Sequence, residues 1–398
     1  MHTSGNAARR PDVLVLGGGP VGLVTAWRTA QRGSSVTVVD PEPGSGASRA
    51  AAGMLAAVTE LHHGEETLLA LNLASAHRWP DFVRELEEAS GQETAYRTDG
   101  TLAVAFDSDD RAALREVHAL QQRYGLRSEW LTGRECRSIE PMLAASVRAG
   151  LRVDDDHQVD PRRLTAALLE ACGRAGVRFR HASAARLTVS GDRARGAVLD
   201  DGTEVSAEQT VVATGSWSGR LEGVPEDALP PVRPVKGQVL RLRVPAAQAP
   251  FLSRSVRATV RGAAVYLVPR RDGELVIGAT SEELGWDTTV TAGGVYQLLR
   301  DAHALVPGIT ELPLVESRAG LRPMSPDNAP LLGATRVPGL HLASGHGRNG
   351  VLLTPVTGDA MADVLTSGEP PAVAEPFTPL RFVPPVGARR APREGVAR

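Results

Sequence analysis

Two glycine-rich stretches carry residue types at spacings that suit chemistry. The first, Gly17-x-Gly19-x-x-Gly22, follows the apolar run Val13–Leu16 and opens a helical pattern at Pro20. There the first glycine permits a tight turn, the second lets a pyrophosphate approach the backbone, and the third lets helix pack on strand. A helix N-terminus adds free N–H groups and partial positive charge. Asp40, 18 residues beyond Gly22, stands where a carboxylate accepts hydrogen bonds from adenosine ribose hydroxyls. An acid there disfavours a 2′-phosphate, so FAD or NAD is expected ahead of NADP. The second stretch, Ser344-Gly345-His346-Gly347-Arg348-Asn349-Gly350, precedes Val351-Leu352-Leu353. Its composition suits a turn, a phosphate cradle or part of a catalytic site.

Other segments choose between FAD and NAD. Val211-Val212-Ala213-Thr214-Gly215-Ser216-Trp217 matches the second nucleotide-contact segment of FAD-binding Rossmann proteins, and the 344–350 stretch with Val351 matches their third. The small-residue loop from Ser45 to Leu55, including Ser48, Ala51, Ala52, Gly53 and Met54, is suited to packing against an isoalloxazine. No metal site is expected, because His62-His63 beside Glu65-Glu66, and Asp154-Asp155-Asp156-His157, are runs of adjacent residues that rarely converge on one ion.

The chain resembles the D-amino-acid oxidase superfamily of flavoenzymes, and within it the glycine oxidases of the thiamine-thiazole pathway. The resemblance spans residues 12–366 and rests on Ala50–Leu55, Pro234-Val235-Lys236-Gly237, Tyr266-Leu267-Val268-Pro269-Arg270, Gly278-Ala279-Thr280, Ala319-Gly320-Leu321-Arg322-Pro323 and Gly345-His346-x-Arg348-Asn349-Gly350. It implies that Arg322 holds the substrate carboxylate, with Tyr266 donating a hydrogen bond and Arg348 beside the pocket. An arginine fork suits a carboxylate through two parallel bonds. Read without that pattern, Arg322 is a surface ion-pair residue. His346 stays open between catalysis and support of the backbone, and Lys236 between a cation near the flavin and an exposed strand position.

By the same resemblance the amine gives up its α-hydrogen as hydride to the flavin, and no strong protein base is needed. A helix starting near Asn349 would stabilise negative charge on the flavin's pyrimidine side. The product imine hydrolyses, and molecular oxygen reoxidises the flavin to give hydrogen peroxide. Ser281 stands where the glycine oxidases have methionine, and Gly347 where an aromatic residue is usual. A roomier pocket is therefore expected, open to sarcosine, N-ethylglycine or D-amino acids besides glycine. A D-amino-acid dehydrogenase, a sarcosine-type oxidase and a non-catalytic flavin-binding protein are the alternatives.

The elements that must position these residues begin with a βαβ unit: strand 13–16, helix 20–32, strand 36–39. Helical spacing recurs over 67–91 and 108–125, Asp160-Pro161 opens a helix to about Gly173, and strands are expected at 184–189, 194–199, about 205 and 210–213. Alternating strands fill 232–285, a helix spans 294–305, strand returns after 318, and a last helix runs from Val351 to Leu365. The expected fold class is α/β with an α+β second domain. An FAD-binding Rossmann-like domain is assembled from 11–85, 150–222 and 318–366, and an antiparallel-sheet substrate domain from 86–149 and 223–317. Residues 1–10 read as a flexible arm and 369–398 as a loose Pro/Arg-rich tail.

At 398 residues the chain exceeds a single core. With 44 basic and 46 acidic residues, it offers no electrostatic reason to bind nucleic acid or an anionic membrane. No segment reads as a membrane span or export signal. The two cysteines, Cys136 and Cys172, make no disulfide framework, and both precede residue 173, so FAD is expected to be held non-covalently in a cytoplasmic enzyme. A homo-oligomer is compatible with all of this. Lys236 is the sole lysine.

Overall fold

The computed structural model describes residues 10–225, 227–260 and 262–382. The arm at 1–9 and the tail beyond 382 lie outside the described residues.

Strand β1 (Val13–Leu16) is buried at all four positions and is flanked by parallel neighbours, β2 (Val36–Val39) and the Gln209–Val212 strand. A strand covered on both faces must be apolar throughout, as this one is. The full six-stranded order is Leu331–Ala334, Leu340–Ser344, Gln209–Val212, β1, β2, Arg178–Arg180, with only the first strand antiparallel. Helix α1 (Pro20–Gln31) starts with proline in its first turn, where the missing N–H costs nothing. It packs with the helices Pro161–Arg174 and Thr354–Ser367, and a core containing Leu23, Trp27, Trp79, Leu168 and Met361 forms between them and the sheet. A three-stranded sheet over residues 184–206 covers the opposite face through Leu187, Ala197 and Leu199.

The second layer is an eight-stranded sheet in the order Leu314–Met324, Arg233–Arg243, Glu274–Gly278, Ala263–Pro269, Ser255–Val260, Thr101–Ala105, Ala149–Val153, Glu129–Thr132. All neighbours are antiparallel except Ser255–Val260 with Thr101–Ala105. The helix Ala292–Leu305 covers one face with Leu298, Ala302 and Leu305. On the other face, Val239, Val268 and Val276 meet Ala50 and Ala52 from the loop that follows β2.

Three expectations change. The boundaries at 149/150 and 317/318 fall inside strands of this sheet, which run on to Val153 and Met324 because their hydrogen-bond partners extend that far. The last helix begins at Thr354, after a 3-10 turn at Gly347–Asn349, since Thr354-Pro355 places proline where a helix starts. The described part of the tail, 369–382, is packed: Phe377 is buried in the core and Arg381 pairs with Asp327 at 2.8 Å.

Candidate cofactor and substrate site

A cavity of about 750 Å³ lies between the two sheets, at the C-terminal ends of β1 and β2. Open parallel sheets bind ligands at such ends. Gly17 has φ of 109°, and a Cβ there would lie 2.4 Å from the carbonyl oxygen of Ala213. At Gly22 a Cβ would lie 2.0 Å from the oxygen of Gly17, which fixes the helix against the turn. Gly19 faces open space. The three glycines thus divide their work: two allow backbone to meet backbone, and one leaves room for a ligand.

Asp40 lines the cavity, its carboxylate accepting from the N–H of Gly18 at 2.7 Å and of Glu42 at 2.8 Å. An ionised carboxylate offers about four acceptor sites, so capacity for ribose hydroxyls remains. Ser48, Ala51, Ala52, Gly53, Met54, Ala213, Thr214, Gly215, Trp217, Gly350 and Val351 also line the cavity. The Ser48 hydroxyl is buried without a protein partner, which suits a ligand atom there. Gly22, Gly345 and Asn349 lie behind the wall, where Gly345, at φ of 71°, packs on Ser325 and Leu331. An open Gly19, a carboxylate with spare acceptor capacity at Asp40 and an orphaned serine together fit a dinucleotide cofactor.

The other end is built by the eight-stranded sheet. Arg322 sits across from Val235, with Gly237 and Gly320 paired two residues away. Glycine at 237 leaves the guanidinium its place, since a Cβ would lie 2.5 Å from both terminal nitrogens of Arg322. The guanidinium donates to the carbonyl oxygens of Thr280 at 3.1 Å and Lys236 at 3.4 Å, and among the described residues no carboxylate pairs with it. Tyr266 stands opposite Gly278, whose missing side chain makes room for the phenol: a Cβ there would meet the hydroxyl at 2.3 Å. Burial raises the Tyr266 pKa against the pull of the Arg322 charge, so the phenol stays protonated and able to donate.

Arg348 reaches the cavity but is already engaged. It is ion-paired with Glu65 and lies 3.4 Å from Glu60, which in turn meets Arg257 at 2.5 Å. Burial would raise the Glu60 pKa, but Arg257 and Arg348 outweigh it and hold the carboxyl below its usual range. Glu60 and Arg257 line the cavity, and neither stands out in the sequence. Arg257 becomes visible only once its strand is registered opposite Tyr266. Glu60 is placed by Asp156, a fully buried carboxylate accepting from the N–H groups of Val58 and Thr59 at 2.9 and 2.8 Å. Burial pushes the Asp156 pKa up to about 6.

His346 lines the cavity with Nε2 3.0 Å from the Thr357 hydroxyl on the last helix. Burial lowers its pKa to about 4, so it is neutral at pH 7 and ties the 344–350 turn to that helix. Lys236 is not an exposed strand position, and it is absent from the residues that line the cavity. Its side chain is fully buried and its ammonium bonds Asp287 at 2.6 Å, with Glu282 at 3.6 Å, anchoring the 281–291 loop. Arg270, also buried, donates to the Ala52 carbonyl and so supports the small-residue loop from beneath. Among the described residues no metal cluster exists and no helix is long and apolar enough to cross a membrane.

Comparison with known proteins agrees with this geometry. The family model "FAD dependent oxidoreductase" matches residues 12–364. The chain is 35% identical over 387 residues to the bifunctional protein ThiO/ThiG of Synechocystis sp., covering 94% of this chain and 55% of that protein. It thus spans about half the length of the first curated relatives it matches. It is also 35% identical to a glycine oxidase of Geobacillus kaustophilus, covering 95% of this chain and 99% of that one. The crystal structure of Geobacillus kaustophilus glycine oxidase superposes with a TM-score of 0.87 at 33% identity, covering 94% of this chain and 100% of the other. An iminodiacetate oxidase from Chelativorans sp. gives 0.82 at 26% identity, covering 92% and 98%. From the nucleotide turn to the 344–350 turn, the chain belongs to the FAD dependent oxidoreductase family.

Proposed function

We propose that this chain is an amine oxidase acting on glycine or another small amino acid, producing an imine and then the oxo acid and ammonia, with oxygen reduced to hydrogen peroxide. The observation that carries the reading is Arg322, a cavity-lining guanidinium bonded to two backbone carbonyls and to no described carboxylate. Its unpaired charge is a receptor for one carboxylate, and a two-pronged bond fixes the orientation of what it holds.

FAD, when bound, is the two-electron acceptor for the α-carbon's hydride. Gly17, Gly19, Asp40, Ser48 and the 213–217 and 350–351 segments would hold it, since they line its end of the cavity. The chain's own residues then do the positioning. Arg322 grips the carboxylate and Tyr266, kept protonated, donates to the same group. Glu60, Arg257 and Arg348 wall the pocket as ion-paired groups, so their charges are largely compensated, whereas Arg322 has no carboxylate partner among the described residues. Held so, the α-carbon gains the proximity that turns a bimolecular encounter into an oriented one. The neutral His346 secures the turn that borders the cofactor.

The relatives named ThiO/ThiG support supply of the glycine imine to thiazole synthesis as the pathway. The test is an aerobic panel of glycine, sarcosine, N-ethylglycine and D-amino acids read by peroxide formation, beside anaerobic bleaching of the flavin absorbance. Peroxide from glycine or a close analogue is expected. A D-amino acid dehydrogenase of Methylobacterium radiotolerans is 30% identical over 91% of this chain, so bleaching without peroxide would favour a dehydrogenase.

A further inference from the structure

Gly347 reads in the sequence as lost bulk, but the structure fills that space from another strand. A Cβ on Gly347 would lie 2.8 Å from Sδ and 3.3 Å from Cε of Met324, and its φ of 56° suits glycine. Met324 ends the Leu314–Met324 strand, two residues beyond Arg322, and alternate residues of a strand share a face. Both residues line the cavity, and an isolated bridge between Met324 and His346 fixes the strand end against the glycine turn. Met324 therefore borders the same cavity as Arg322, beside the turn at Gly347. Two residues along a strand are roughly 7 Å apart, within reach of a methionine side chain and one or two substrate carbons. Ala264 and Ser281, which also line the cavity, carry little bulk.

We propose that Met324 is the specificity-determining residue of this pocket: it replaces, from the neighbouring strand, the volume absent at Gly347 and limits the substituent carried by the substrate's α-carbon or nitrogen. Methionine is unbranched and rotates about three bonds, so the limit yields gradually with size. This rests on the amino-acid oxidase reading of the same site.

The test uses the FAD-loaded protein with Met324→Ala and Met324→Leu. Turnover of glycine is compared with that of N-ethylglycine and D-valine. In parallel, the Kd values of acetate and 2-methylpropanoate are measured by their perturbation of the flavin spectrum. In Met324→Ala the preference for the bulkier substrate is expected to rise by about 10-fold or more, the value of one or two methylenes in a pocket. 2-Methylpropanoate should tighten relative to acetate, while Met324→Leu, of similar volume, should keep the native ratios. Substrate and carboxylate ratios within about twofold of native in Met324→Ala, with FAD retained, overturn the proposal. If the native protein oxidises no amine, the oxidase reading fails, and the carboxylate ratios still decide the role of Met324.

Discussion

Arg322 and Tyr266 share one ligand in this reading but should fail differently when altered. Replacing Arg322 with lysine keeps the charge and loses the fork, so KM for the amino acid should rise by roughly 10- to 100-fold, the worth of about 1.5–3 kcal/mol of charged hydrogen bonding. Tyr266→Phe removes one donor from an otherwise intact pocket. About 1 kcal/mol, or near fivefold in KM, is expected. Steady-state kinetics on both variants check this, and equal losses would contradict the division of roles. Arg348, by contrast, is restrained by Glu60 and Glu65, so its own contribution passes through the shape of the wall. At this scale the sequence names Arg322 and Tyr266 through their motifs. It is silent on Glu60 and Arg257, 197 residues apart, because an ion pair at that separation exists only once the folded chain brings a loop residue to the strand Ser255–Val260.

Among the elements, glycines give the sharpest predictions because each has a defined obstacle. Gly19→Ala should leave apoprotein stability within about 1 kcal/mol, as no protein atom opposes the new methyl, yet weaken FAD binding by filling ligand space. Gly22→Ala should destabilise the protein itself, by about 3 kcal/mol or more, since backbone stands 2.0 Å away. Thermal unfolding with and without FAD separates the two. Gly237→Ala meets only the tip of Arg322, so it should keep the fold and raise KM as that side chain is pushed aside. Such elements differ in how legible they are. The βαβ unit announces itself because its strands are buried on both faces and its helix has a proline start. Thr101–Ala105, Glu129–Thr132 and Ala149–Val153 are four or five residues long, and Thr101–Ala105 pairs with strands about 50 and 150 residues further on, so local periodicity says little about them. The last helix's true start was signalled by Thr354-Pro355, a cue stronger than the apolar run before it.

For the molecule as a whole, buried ionisable groups set how stability follows pH. His346 has its pKa lowered from 6.5 to about 4 by burial, so below pH 6.5 the unfolded chain takes up a proton that the folded chain refuses. Its contribution therefore falls as pH drops from about 6.5 to 4, by on the order of 3 kcal/mol at most. Asp156, raised from 3.8 to about 6, acts in the opposite direction over the lower part of the same window. His346→Gln should consequently flatten the decline of Tm between pH 7 and 5, measured on the FAD-loaded protein, and an unchanged slope would show that the imidazole is not the cause.

The sole lysine leads to a practical end. Lys236 has no exposed side-chain surface and is bonded to Asp287 on the 281–291 loop. Amine-directed acylation therefore has no accessible ε-amino target among the described residues while that loop is seated. Modification of Lys236, located by peptide mass spectrometry so that any α-amino product is told apart, becomes a clock for the loop's opening, reported by the sole ε-amino group.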